Sequence, residues 1–128
     1  VAAVADYTPV FPLAPGPFTS QASGTITGGD LVAVSGSGTV ASAAAGASAI
    51  GVAAHDAVTG QKVAVHPLKQ VHETLAGVAG VTAGNPLKVG ASPSKLVLWV
   101  TGTDGAEKWV GVALTTAAAD ATLRWIGR

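Results

Sequence analysis

One piece of this sequence occurs twice. ITGGDLVAV at residues 26–34 returns as VTAGNPLKV at residues 81–89, 55 positions later. A second block, IGVAAHDAVTGQKVAV at residues 50–65, returns as VGVALTTAAADATLRW at residues 110–125, 60 positions later. Both copies keep the same order, so the second gains five residues between its blocks. A repeat of this length is one supersecondary unit, and like units fold alike and pack together. The pattern predicts two similar halves related by an approximate two-fold, repeat one at about 24–66 and repeat two at about 79–126.

Within each copy the signals are those of strands. Short runs rich in Val, Thr, Leu and Trp alternate with Gly-containing turns. No segment keeps a helical apolar period for three turns. Strands are expected at 31–34, 49–54, 62–65, 71–75, 87–89, 96–101, 108–114 and 121–126. The Ala/Ser/Gly tract at 41–48 reads as a loop, because Gly46 and the lack of an apolar stripe outweigh the helix propensity of Ala. Gly29 and Gly84 are placed for positive φ in tight turns, with Asp30 and Asn85 bonding local backbone. Gly51 and Gly111, inside strands, signal a bulge or a close backbone approach. Residues 96–114 read as a hairpin turning at Thr103-Asp104-Gly105, which sets Trp99 opposite Trp109. The fold class is all-β: a small barrel or sandwich built from two similar repeats.

Residues 1–23 differ. Pro9, Pro12, Pro15 and Pro17 sit among Tyr7, Val10, Phe11, Leu13 and Phe18. Proline fixes φ and holds the preceding residue extended. The segment is therefore expected to be an extended N-terminal arm ahead of a β domain at 24–128. Tyr7, Phe11, Leu13 and Phe18 are candidate anchors on a partner surface or a neighbouring subunit, since such side chains dominate interfaces. The prolines also interrupt any leader-type apolar run, and no basic segment precedes them, so no secretory leader is expected.

Charge narrows the function. Charged residues make up 11% of the 128, against about 25% in ordinary domains. Seven bases balance seven acids, so the basic patch of a nucleic-acid binder is not expected. All seven bases lie at position 62 or later, which leaves residues 1–61 at −3 and residues 62–128 at +3. Opposite halves can then meet head to tail. Mean hydropathy is +0.48, yet the uncharged stretch at 31–54 is broken by Gly36, Gly38, Gly46 and Gly51, so no membrane span is expected.

Catalytic and metal chemistry find little to stand on. There is no Cys, which removes thiol catalysis and Cys-based zinc sites. His55-Asp56 and His72-Glu73 are sequence neighbours that point to opposite faces in a strand. No Gly-x-Ser-x-Gly elbow is present, and the glycines at 24–29 lack the Lys and helix of a phosphate loop. The expectation is no enzyme, no catalytic residue, no cofactor and no metal. Trp99, Trp109 and Trp125 are candidate core or interface aromatics.

The turn and strand GGDLVAV (28–34), then GVA (51–53) and GQKVAV (60–65), with GVAL (111–114) and TTAAA (115–119) in the second copy, resemble bacteriophage capsid decoration, or cement, proteins of the small β-barrel, two-repeat kind. The likeness runs from residue 24 to the C-terminus. It implies a structural protein made in the host cytoplasm that binds the outer surface of the phage head and stabilises it. Its partners would be the major capsid protein and itself, as a homotrimer at local three-fold axes. Asn85-Pro86 departs from the family pattern, where Gly-Asp is commoner, and so does the proline-rich arm, which bears on how the shell is held. The residues leave open an alternative, a carbohydrate-binding or adhesive β-module using the three Trp. A lipoyl-type domain is set aside, because Lys62, Lys69, Lys88 and Lys95 sit in no modification motif.

Overall fold

A computed structural model describes residues 16–128. Among these, ten strands run in chain order: β1 Phe18–Ala22, β2 Leu31–Gly36, β3 Thr39–Ser42, β4 Gly51–Ala53, β5 Lys62–Pro67, β6 Val71–Ala76, β7 Pro86–Val89, β8 Lys95–Leu98, β9 Gly111–Ala113 and β10 Thr122–Gly127. They close two five-stranded barrels, ordered β1-β3-β2-β4-β5 and β10-β6-β8-β7-β9. In each barrel the first strand pairs antiparallel with the last and parallel with the third. The all-β class with two similar repeats is the fold adopted.

The repeat is matched bond for bond. An isolated bridge joins Ile26 to Ala57 in the first copy and Val81 to Ala117 in the second. Gly29 N–H donates to Ala53 O at 2.9 Å, and Gly84 N–H to Ala113 O at 2.8 Å. Both glycines take the positive φ expected of them, 92° and 90°. The turns close through Asp30 N–H to Thr27 O and Asn85 N–H to Thr82 O, each 3.0 Å. Asp30 adds side-chain bonds, accepting from Thr27 N–H at 3.1 Å and Ser42 Oγ at 2.8 Å. No such side-chain bond is formed by Asn85 among the described residues.

Three sequence expectations are corrected. Residues 39–42, where no strand is expected and whose second half is read with the loop at 41–48, form β3, paired with β2 and β1. Residues 18–22, counted with the arm, form the first strand of barrel one. The reason is closure: without β1, one edge of β3 and one of β5 would be left open. Its counterpart β6 lay outside the recognised repeat because FTSQA and VHETLA share no motif. The hairpin at 96–114 does not form. Both edges of β8 are taken, one by β6 and one by β7, and β9 lies between β7 and β10. Residues 99–110 are instead a connecting loop with one 3-10 turn, Ala106–Lys108.

Alternation fills the barrels. In β5, Val63 and Val65 point inward and are fully buried, as are Leu123 and Trp125 in β10. Barrel one encloses Ala22, Ile26, Val32, Val40, Ala53, Ala57, Val63 and Val65. The interior of barrel two is continuous with the contact between barrels, where Leu31, Ala43, Ala49, Val52 and Leu68 join Leu87, Val89, Leu96, Val110 and Trp125. Trp125 donates Nε1–H to Thr74 Oγ1 at 3.1 Å, and its ring centroid lies 4.7 Å from that of His72. His72 Nε2 reaches Pro67 O at 2.9 Å and Leu68 O at 3.1 Å. Carbonyls only accept, so Nε2 carries the proton. His72 thereby clasps the start of the link between the barrels. Burial holds its pKa below the ordinary 6.5, against the raising effect of those two bonds.

Gly51 and Gly111 are sites of close backbone approach. A Cβ on Gly51 would strike His66 O and Val65 Cγ1, and one on Gly111 would strike Ile126 O and the Trp125 ring. Gly51→Ala and Gly111→Ala are each expected to lower stability by about 1–3 kcal/mol, the usual cost of overpacking, read from urea denaturation; unchanged midpoints would refute the packing. His72 gives a second expectation. Its folded pKa lies below the unfolded value of about 6.5, so the neutral ring stabilises the fold above that pH. That contribution is lost as pH falls through the folded value. The melting temperature should fall on acidification below pH ~6.5, and His72→Phe, less stable at neutral pH, should show a flatter profile there. Equal slopes in both proteins would remove His72 as the cause.

Candidate interaction surface

The two barrels are alike, but their surroundings are not. Ala43 N–H donates to Leu31 O in barrel one, as Trp99 N–H donates to Pro86 O in barrel two, both at 2.8 Å. A turn follows in each. Ala47 N–H closes on Ala44 O at 3.0 Å, and Thr103 N–H on Val100 O at 3.2 Å. Gly46 and Gly102 hold the same place in these turns, with φ of 68° and 83°. The turn of barrel one docks on barrel two: Gly46 N–H donates to Val89 O at 3.0 Å, and Leu31 N–H to Pro93 O at 2.8 Å.

The corresponding groups with the halves exchanged are in solvent. Val34, the counterpart of Val89, is 64% exposed where Val89 is 1%. β2 pairs with β4 only at Leu31 and Val32, so that edge of β2 has no strand beside Val34. β7 pairs with β9 only at Pro86 and Leu87, and the edge at Val89 is the one that Gly46 caps. Gly102 is exposed, and its N–H has no backbone acceptor among the described residues. Val100, two residues before it, is exposed as well, as are Leu98 and Trp109 at the two ends of this connection. The expected approximate two-fold is therefore absent from the barrel contact, because a two-fold would bury Val34 as it buries Val89.

The loop that carries Gly102 is pinned. Lys88 Nζ lies 2.8 Å from both carboxylate oxygens of Asp104, and Asp104 Oδ2 accepts from Val100 N–H at 2.8 Å. The Lys88 ammonium, aided by that amide, holds the Asp104 carboxyl below the ordinary carboxylate range. Trp99 Nε1–H donates to Gly105 O at 2.9 Å. Charge does not follow the barrels: Lys62 lies in β5, Lys69 in the link, and Arg128 ends the chain. The charge imbalance between sequence halves thus shrinks to −1 in residues 16–67 and +1 in residues 71–128.

Tyr7, Phe11 and Leu13 lie outside the described residues. Phe18 does not extend from an arm; it opens β1, half-buried against the interior of barrel one. The three Trp do not share a face. Trp125 is fully buried in barrel two and Trp99 is half-buried. Trp109, with Nε1–H on Gly111 O at 2.9 Å, is open to a groove it lines with Ile50, Leu68 and Arg128. Among the described residues, no group of three His, Cys, Asp or Glu is placed to hold a metal ion. Sequence reasoning missed Val34 and Gly102. Only the matching of Gly46 to Gly102, hidden by four extra residues in the loop at 99–109, could have pointed to them.

No protein-family model matches the sequence, and no curated protein matches it. Among solved structures, the chain is similar to the N base of head fiber gp8.5 in bacteriophage phi29, with a TM-score of 0.64 and 20% identity over 88% of this chain and 92% of that one. At this identity the likeness shows a shared fold.

Asp104→Asn keeps the shape of the side chain and removes the ion pair. It is expected to loosen the loop and red-shift tryptophan emission at neutral pH. The wild type should undergo the same shift only as pH falls through the folded pKa of Asp104, below the ordinary ~3.9. Wild-type emission from Asp104→Asn would mean that Lys88 does not hold the loop.

Proposed function

We propose that this chain is a phage-head-associated structural protein that binds the outer surface of the capsid and stabilises it. The observation that carries the reading is the likeness to a head fiber base across nearly the whole of both chains. The repeated turn-and-strand motifs, which resemble capsid decoration proteins, support it independently. Fold alone does not dictate function, but here sequence motif and fold lead to the same class of virion component. The finer reading is a cement role as a homotrimer on the major capsid protein, with Tyr7, Phe11 and Leu13 of the arm as capsid or neighbour contacts. The arm suits such docking because its prolines leave little conformational entropy to lose. A sugar-binding platform draws less support, since Trp125 is enclosed and Trp109 alone of the three Trp lies at an open groove.

The test is to add purified protein to phage heads that lack it and image them. Added density at regular sites on the outer shell, with heads that resist heat better, is the expected result. Absence of density together with absence of co-sedimentation would overturn the reading, and broad binding on a glycan array would favour the sugar module. Deletion of residues 1–15 leaves β1 intact and should abolish head binding without unfolding. Undiminished binding would remove the arm from the contact.

A further inference from the structure

We infer that the exposed edge of barrel one at Val34 is the docking site for the loop at 99–109 of barrel two from a second copy of this chain. This inference specifies the self-contact in the reading above. It rests on barrel packing, not on capsid attachment.

The argument is one of continuity with an interface the chain already contains. Within one chain, the turn carrying Gly46 caps the open edge of β7 at Val89. Barrel two carries the same turn, with Gly102 at the same place and in the same left-handed conformation. Barrel one carries the same open edge, at Val34. Each chain thus ends in two unmatched halves of a contact whose matched form lies between its own barrels. Open strand edges invite such pairing. The residues left exposed support the match: Val34 on one side, and Val100, two residues from Gly102, on the other, are apolar side chains still in solvent.

The contact between copies would not be identical to the one within the chain. Pro86 stands in the place of Leu31 and has no amide, so the bond corresponding to Leu31 N–H to Pro93 O cannot recur. The Gly102 N–H to Val34 O bond can. Where barrel one offers Ala43, barrel two offers Trp99, a side chain of the kind that anchors interfaces. The contact joins unlike surfaces, so it is heterologous and leads to a closed ring when the rotation closes. The ion pair of Lys88 with Asp104 holds the docking loop in shape beforehand.

The test exploits the absence of Cys from the chain. Val34→Cys combined with Thr101→Cys should give covalent multimers with a short thiol crosslinker in concentrated free protein, while neither single variant should give covalent multimers. Val34→Lys, a change at an exposed side chain, should melt like the wild type yet self-associate at least about tenfold more weakly by sedimentation, since it buries a charge in the contact. The inference would be overturned by crosslinking of Val34→Cys alone as efficient as that of the double variant, which marks a symmetric contact, or by no covalent multimer from the double variant. Wild-type association by folded Val34→Lys would do the same. Failure to bind heads by a protein that crosslinks as expected would overturn the capsid reading and leave this contact standing.

Discussion

Everything in this molecule depends on the closure of each barrel by its first strand. A five-stranded sheet left open would expose two edges and half a core. β1 satisfies both edges at once, antiparallel to β5 and parallel to β3, and β6 does the same for β10 and β8. The parallel pair is short, two residues in register in each barrel, but it removes the edge that a second chain could otherwise extend. Because the link between barrels is only residues 68–70, the last strand of barrel one and the first of barrel two are held close, and His72 fastens them.

The same fold used twice has had to diverge where the copies touch. Equivalent backbone bonds place Leu31 opposite Pro86, Ala43 opposite Trp99, and Gly46 opposite Gly102. Small and aliphatic residues occupy the side that docks within the chain, and proline and tryptophan the side that does not. Val34 and Val89 show the point with one residue type: they hold equivalent places in β2 and β7, yet one is exposed and the other buried. Two of the squeezed glycines, Gly51 and Gly111, hold equivalent places and are glycine in both copies.

Much of this was legible in the sequence. The offsets of 55 and 60 located both turn-and-strand units, and Gly29 and Gly84 adopt the positive φ that their setting required. The strands the sequence pattern does not reveal are β1 and β3: FTSQA shares no motif with its counterpart β6, and the second half of β3 runs into the Ala/Ser/Gly tract that reads as a loop. The hairpin at 96–114 looked sound because its turn residues suit a β-turn. It failed because strand pairing is a competition for edges, and β8 had already spent both of its own on β6 and β7.

By itself, then, the sequence determined what period-two alternation and glycine placement can determine: strands, tight turns, and the existence of two like units, each set by bonding within a few residues or between repeated blocks. Tertiary structure alone decided which strand closes each barrel, which of two equivalent edges is capped, and which tryptophan is enclosed. Those outcomes turn on contacts between residues far apart in the chain, and a residue repeated at an equivalent place, such as the valines at 34 and 89, carries no mark of what will be packed against it.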